Sequence, residues 1–331
     1  MRDLGIIAAL FCLLALMVIT GCGGTTAATP TKPATTPIST IPSSAPIPSP
    51  DSQPSTAPMG AFLEGPVGAD MLWYTATNDG TGFTKIGASA HYISVYVLPD
   101  GSEAVFAAQA ADGFSQIFYL APVDSTTEPV QLTATPVNKT SPMLSADGSK
   151  IVFLQLSSVQ DSPDGIRLWD VAVMDTNGGN LAVIPRPDGW SFSHPFFSPD
   201  GSTIAVAMDE GWYFGDMGVF LMNADGTHLT RLTPGGPDGI LAVTPAFSPD
   251  GQQIYFGSLG WDDLSLYVIN TDGSGLKHLG AKNAGWGDPL PVGDRILFTS
   301  ASEIYSVNLN GTDPRQITRN SYDDVFERTI R

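Results

Sequence analysis

The side chains that most often carry catalysis are few in this sequence. It has four histidines, at positions 91, 194, 228 and 278, and two cysteines, Cys12 and Cys22, both near the N-terminus. No Gly-x-Ser-x-Gly sequence is present, so a hydrolase nucleophile of that type is excluded. The chain after Cys22 has no thiol for a disulfide, a thiolate metal site or a cysteine nucleophile. The sequence therefore predicts no catalytic centre, no metal site and no cofactor.

Cys22 is the residue whose surroundings indicate a specific modification. Residues 4–20 form an uncharged apolar segment preceded by Arg2, which is typical of an export signal. The sequence Ile19-Thr20-Gly21-Cys22 resembles the bacterial lipobox, in which small residues precede a cysteine that is acylated and becomes the mature N-terminus. We therefore expect residues 1–21 to be a lipoprotein signal peptide, with Cys22 anchored in the membrane by its acyl chains. A single short transmembrane anchor is the alternative.

Residues 22–58 lack the apolar side chains that a core requires. Of the 36 residues after Cys22, 28 are Pro, Thr, Ser or Ala. Frequent proline makes such a segment extended and semi-rigid. We expect a tether that separates the membrane from a folded domain formed by residues 59–331. A glycosylated stalk is the alternative.

Two turn sequences recur in a fixed order through residues 59–331. The first is an Asp-Gly hairpin turn at Asp100, Asp147, Asp200 and Asp250, with spacings of 47, 53 and 50 residues, followed by a shortened form at residues 292–294. The second has the pattern Asn-x-Asp-Gly-Thr, as at residues 223–227, and follows the next apolar strand. Glycine accepts a positive φ and aspartate accepts hydrogen bonds from nearby amides, so each turn predicts a hairpin. The two hairpins together predict four strands per repeat.

The Ser-Pro-Asp-Gly and Asn-x-Asp-Gly-Thr turns resemble the TolB-type β-propeller repeat, which is related in architecture to WD-type propellers. The resemblance covers about 270 residues and implies an all-β fold: a six-bladed β-propeller with four-stranded antiparallel blades. The first repeat lacks an innermost strand, so we expect residues 325–330 to supply it and close the ring. A β-sandwich with chance repetition is the alternative. Because these blades occur in scaffolds, peptidases and lyases, the resemblance indicates a fold and not an activity.

The aligned repeats place one polar residue of each blade at the mouth of the predicted central channel. These channel-mouth residues are Ser94, Ser141, His194, Thr244, Asp288 and Asp324. Oligogalacturonate lyases, a propeller class with similar repeats, use histidines that converge on a metal. Here His194 is the single histidine of the ring, which does not make a three-histidine site, and His228 and His278 are expected on solvated outer strands. We interpret the ring as a hydrated polar channel and leave open whether it binds a cation.

The face opposite the Asp-Gly turns is formed by the loops between second and third strands and by the connections between blades. We call it the loop face, and the opposite one the turn face. Aromatic residues alternate with carboxylates on the loop face. The candidate ligand-binding residues are Asp209, Glu210, Trp212, Tyr213, Trp261, Asp262, Asp263 and Trp286, with Trp190 nearby. Exposed aromatic clusters often mark interfaces; the alternative for any single Trp is that it folds back between blades.

These patterns predict an extracytoplasmic, lipid-anchored binding or scaffolding protein of the bacterial envelope, on the cell surface or the periplasmic face, and not an enzyme. Its partners would be the membrane, through Cys22, and an envelope protein or a glycan. The formal net charge of −18 excludes nucleic acid, whose phosphates would be repelled. The alternative is a carbohydrate-binding or lyase-like propeller, in which aromatic rings would stack on sugars beside carboxylates. The ligand and the envelope type of the host are left open.

Overall fold

The computed structural model describes the chain from residue 58 to residue 317 with gaps. The described ranges are 58–64, 72–77, 84–85, 92–98, 102–123, 127–157, 167–210, 216–235, 240–259, 264–279, 289–300 and 303–317. The secondary structure of these residues is entirely β, and no helix among them could cross a membrane. The predicted signal peptide, Cys22 and the tether lie outside the described residues, except for Pro58 at the start of β1.

Within the described residues, twenty-three strands form six antiparallel sheets, in each of which strands that are consecutive in the chain are neighbours. A three-stranded sheet contains β1 (Pro58–Glu64), β2 (Leu72–Thr77) and β3 (Thr84–Lys85). Blade 1 contains β4 (Tyr92–Val97), β5 (Ala104–Gln109), β6 (Ser115–Leu120) and β7 (Val130–Gln131). Blade 2 contains β8 (Lys139–Leu144), β9 (Lys150–Leu156), β10 (Trp169–Asp175) and β11 (Ala182–Ile184).

The other three blades repeat this order. Blade 3 contains β12 (Trp190–Phe197), β13 (Thr203–Glu210), β14 (Met217–Asn223) and β15 (Thr230–Arg231). Blade 4 contains β16 (Ala242–Phe247), β17 (Gln253–Leu259), β18 (Leu264–Asn270) and β19 (Lys277–His278). Blade 5 contains β20 (Leu290–Val292), β21 (Arg295–Ser300), β22 (Glu303–Asn308) and β23 (Arg315–Gln316).

The all-β propeller with four-stranded antiparallel blades is confirmed, but the described residues contain five such blades and not six. The sixth predicted unit is present as the three-stranded sheet β1–β3. Its expected fourth strand, residues 325–330, lies outside the described residues. The predicted closure of the ring is therefore untested.

Serine and aspartate side chains hold the turn between the first two strands of a blade. In blade 3, Ser198 Oγ donates to Asp200 Oδ1 and accepts the Thr203 amide at 2.9 Å, while Asp200 Oδ1 also accepts the Ser202 amide at 3.0 Å. Gly201 has a φ of +69°, which glycine adopts without steric cost. These donors, Ser198 first, hold the pKa of the Asp200 carboxyl below its usual value. The Asp-Gly turns are thus structural features of the fold.

Neighbouring blades pack through shared apolar side chains. The largest cluster joins blades 2, 3 and 4, and its members Leu154, Phe192 and Phe256 are almost completely buried. Three blades also carry a stacked aromatic pair between second and third strands, with ring centroids 5.4 to 5.8 Å apart: Phe106 with Phe118, Phe256 with Tyr267 and Phe298 with Tyr305. Such pairs stabilise a fold by about 0.5–1.5 kcal/mol beyond the area that they bury. The recurrence shows that the repeated sequence specifies a repeated packing unit.

Candidate ligand face and channel mouth

Asp209 is the loop-face candidate whose side chain the structure describes. It lies at the loop-face end of β13, opposite Ser191 of β12 and Met217 of β14. Burial raises the pKa of Asp209 to about 6, so this carboxyl changes its charge at mildly acidic pH. Glu210 follows it as the last residue of β13. Trp212, Tyr213, Trp261, Asp262, Asp263 and Trp286 lie outside the described residues, so the clustering of the eight candidates stays a prediction.

Trp190 packs against its own blade. Its ring lies edge-on to Phe220, with centroids 6.0 Å apart and an interplanar angle of 71°. The Arg231 guanidinium also contacts Phe220, at 5.3 Å from the ring centroid. Trp190 is only partly exposed and contributes to the packing of blade 3.

A cation lies at the loop-face end of each of three blades, where the chain leaves the outermost strand. In blade 2, the Asp170 carboxylate accepts the Arg186 backbone amide at 3.1 Å and faces the Arg186 guanidinium at 3.4 Å. In blade 3, Arg231 forms two hydrogen bonds with Asp216, of 2.9 and 2.7 Å. Both cations tie the end of the outermost strand to the start of the third strand of the same blade. The carboxylates therefore have a structural role at these junctions.

At the corresponding junction of blade 1, the cation has no carboxylate partner among the described residues. Lys139 is fully buried, and its Nζ donates to Thr135 Oγ1 at 2.7 Å, to Val137 O at 2.9 Å and to Gln116 Oε1 at 3.0 Å. Burial lowers the pKa of Lys139 to about 8, against a smaller opposing effect of Asp112. The described hydrogen bonds of the ammonium all go to uncharged oxygens, which is unusual for a buried charge.

Sequence reasoning did not single out Asp170, Arg186 or Lys139. The sequence does place these charged residues at the connections between blades, in a chain that has only 15 Lys and Arg residues. Charge at a connection is ordinarily exposed, however, and nothing in the sequence distinguishes a buried Lys from a solvated one.

Three channel-mouth residues share an uncommon backbone conformation. Ser141, His194 and Thr244 have φ values of +51°, +51° and +53°, and each precedes a proline. Each lies within an irregularity of the pairing between the first and second strands of its blade. A residue before proline normally adopts an extended conformation, and a positive φ is rare for a β-branched residue. The strain, of the order of 1–3 kcal/mol per residue, occurs at the same place in blades 2, 3 and 4.

The channel-mouth hydroxyls are buried at these irregularities. Ser94 Oγ accepts the backbone amide of Ser141 at 2.9 Å, which links the innermost strands of blades 1 and 2. Ser141 Oγ and Thr244 Oγ1 have no hydrogen-bond partner among the described residues. Asp288 and Asp324 lie outside the described residues, so the complete ring is untested.

The described histidines do not converge. His228 and His278 are exposed: His228 Nδ1 lies 2.9 Å from Asn223 Nδ2, and the His278 ring lies 5.0 Å from that of Tyr267. Within the described ranges, no group of three or more His, Cys, Asp or Glu residues is placed to hold a metal ion.

Comparison with known sequences supports the resemblance drawn from the turns. No protein-family model matches the chain. The chain is 29% identical over 156 residues to the Tol-Pal system protein TolB of Francisella tularensis subsp. mediasiatica, a match covering 45% of this chain and 34% of that protein. The chain thus spans about a third of the length of the curated relatives that it matches.

Solved structures show the same fold. TolB from Acinetobacter baumannii superposes with a TM-score of 0.65 at 14% identity, over 82% of this chain and 66% of that one. An oligogalacturonate lyase in complex with manganese superposes with a TM-score of 0.55 at 15% identity, over 78% of this chain and 74% of that one. The resemblance to the TolB-type propeller is confirmed by the sequence match and the fold together.

Proposed function

We propose that this TolB-type β-propeller is a binding module of the bacterial envelope that recognises a protein partner and performs no catalysis. The observation that carries the proposal is the sequence match to a Tol-Pal system protein, together with the shared propeller fold. The matched protein is named as part of the Tol-Pal system, which is a precedent for a propeller that acts by binding other proteins.

The proposed binding surface is the loop face. The Asp-Gly turns at the other end are occupied by their own hydrogen bonds, as at Asp200. Asp209 lies at the loop-face end of β13, where burial raises the pKa of its carboxyl. A partner that places a basic group beside Asp209 would favour the charged carboxylate. The neighbouring sequence supplies Trp212, Tyr213, Trp261 and Trp286 as aromatic anchors, a residue type enriched at interfaces.

Replacing both Trp212 and Trp261 with Ala should weaken binding to the partner at least about thirtyfold, since a buried Trp anchor contributes about 2 kcal/mol or more. The partner is first obtained by pull-down from detergent-solubilised envelopes with the full-length protein and then titrated by calorimetry. A matched control replaces Val183 and Leu276 with Ala, since both are exposed apolar residues of outer strands or their flanks. Circular dichroism verifies the fold. Unchanged affinity in the folded double Trp variant would place the site elsewhere.

The same module is proposed to be anchored by lipid on Cys22. Replacing Cys22 with Ala should abolish incorporation of a palmitate label and leave the precursor unprocessed, because the thiol is the group that would be acylated. Cys12→Ala is the control, since the signal peptide containing Cys12 would be removed from the mature protein. Labelling of the Cys22→Ala protein in the producing bacterium would contradict the anchor.

We also propose that the complete ring has six blades. The three-stranded sheet β1–β3 would receive residues 325–330 as its innermost strand. The proposal is supported by the four-stranded arrangement of the other five sheets.

Carbohydrate binding is the second candidate function. It is favoured by the fold shared with an oligogalacturonate lyase and by the aromatic and acidic residues expected on the loop face. Titration with polygalacturonate distinguishes carbohydrate binding from protein binding. Polygalacturonate binding that is lost in the double Trp variant, with no protein recovered in the pull-down, would favour the glycan.

A further inference from the structure

A cleft of about 400 Å³ opens on the turn face between blades 4 and 5. This volume is within the range of small-ligand sites. Its lining includes the turn residues Pro249 and Asp250 of blade 4, and Gly293 and Asn310 of blade 5. It lies at the opposite end of the blades from Asp209.

The cleft arises from the shortened turn of blade 5. Between the paired residues Phe247 and Ile254 of blade 4 lie six residues, whereas four lie between the corresponding Pro291 and Ile296 of blade 5. In blade 4, a Cβ on Gly251 would lie 3.4 Å from Pro199 of the preceding blade, so these two turns are in contact. In blade 5, a Cβ on Gly293 would meet no atom of the described residues within 4 Å. The turn of blade 5 is two residues shorter. It therefore lacks, at the junction of blades 4 and 5, the contact that the turn of blade 4 makes at the junction of blades 3 and 4.

The inner part of the cleft is apolar. Tyr255, Val268 and Leu279 are almost completely buried, and Leu309 of blade 5 completes this surface. The Tyr255 hydroxyl lies 3.3 Å from Leu309 O and 3.3 Å from Gln253 Oε1, so it connects the two blades. Tyr255 exposes 1% of its surface and offers no open ring on which a sugar could stack. The surface fits an aliphatic side chain.

Among the described residues, Lys277 is the one cation that lines the cleft. Lys277 is exposed and forms no ion pair with the described residues. The acidic and amide groups of the rim already accept hydrogen bonds: Asp250 Oδ1 from Ser248 and Gln252, and Asn310 Oδ1 from Thr312. Lys277 is therefore the group that can bind an anionic ligand atom. The net charge of −18 disfavours ligands with several negative charges, so a single carboxylate fits best.

We propose that this interblade cleft binds the C-terminal end of a short aliphatic peptide, with the terminal side chain on the partly exposed Leu309, at the edge of the buried Val268 and Leu279, and the terminal carboxylate on Lys277. This site is separate from the loop face, and its occupancy does not depend on the partner proposed there. The Trp212→Ala, Trp261→Ala double variant should bind the peptide as the unmodified protein does.

The test uses the full-length protein in detergent micelles and the probe acetyl-Ala-Leu with a free carboxylate, titrated by calorimetry or ligand-observed NMR. We expect saturable binding that is weakened about tenfold in Lys277→Gln, because a charge-assisted contact is lost. The C-terminal amide of the same peptide should bind equally weakly to both proteins. Asn tolerates a positive φ, so Gly293→Asn should place a side chain in the cleft and remove binding with little strain.

The control for the last variant is Gly113→Asn. Gly113 also has a positive φ, +85°, and open space around its ideal Cβ, but it lies in the β5–β6 turn and not in the cleft. This protein should bind acetyl-Ala-Leu normally. The proposal would be overturned by the absence of saturable binding, by affinity that Gly293→Asn and Lys277→Gln leave unchanged, or by cellobiose binding that Gly293→Asn removes.

Discussion

Replacing Asp170 with Ala is expected to lower the free energy of unfolding by about 3 kcal/mol or more. The Asp170 and Arg186 side chains expose only 11% and 4% of their surface, and Asp170 also accepts the Arg186 backbone amide. The variant removes a carboxylate partner of the buried guanidinium and leaves the buried Arg186 amide without the oxygen of Asp170 that accepts it. Denaturant unfolding measured by circular dichroism gives the difference.

The control is the exposed ion pair between Lys150 and Asp175, whose atoms are 3.3 Å apart and whose side chains are 45% and 27% exposed. Lys150→Gln should change the free energy of unfolding by less than about 1 kcal/mol, since such pairs contribute little in water. A loss in Asp170→Ala no larger than that in Lys150→Gln would refute the structural role of the buried pair.

Deleting residues 324–331 should lower the melting temperature by about 10 °C or more if they close the ring. Innermost strands can be completely buried in this fold: all six residues of β8 and all six of β16 are buried. Losing such a strand from the sheet β1–β3 would remove several kcal/mol of apolar burial and expose two sheet edges. In a domain of this size each kcal/mol corresponds to about 2–4 °C.

Two controls separate closure from general damage at the C-terminus. Removal of Arg331 alone should leave the melting curve unchanged, because this residue lies beyond the predicted strand. A synthetic peptide of residues 319–331, added to the truncated protein, should restore part of the lost stability by pairing with the open sheet. An unchanged melting temperature after the full deletion would exclude the closure.

The repeated turns made the blades predictable from the sequence, while the places where repeats differ were less predictable. The hydrogen bonds at Asp200 follow from local residue chemistry, so the Ser-Pro-Asp-Gly sequence was sufficient to predict the hairpin. The positive φ of Thr244 contradicts the local preference of a residue before proline. It accompanies an irregular pairing between the first two strands of the blade, and that pairing is not recorded in the sequence of either strand alone.

The candidate site residues also divide into those that the repeat made predictable and those that depend on a neighbouring blade. The loop-face residues were found from their position in the repeat, and Asp209 lies at the expected end of its strand. The buried Lys139 was not predicted, since its burial depends on Gln116 and Thr135 from an adjacent blade and connection. The shortened turn around Gly293 was visible in the sequence, but its consequence depends on the preceding blade as well.

The order of strands within the sheets has a consequence for how the chain reaches its folded state. Every described sheet pairs only strands that are consecutive in the chain. The loops to be closed are short, so their entropic cost is low, and hairpins can form before distant parts of the chain meet. A polypeptide that emerges from its N-terminal end can therefore complete one blade after another, each new blade covering the apolar face of the last. Until the ring closes, uncovered apolar faces remain only at the two ends of the row of blades, on the first sheet and on the newest blade, which limits the apolar surface that a nascent chain exposes to its neighbours.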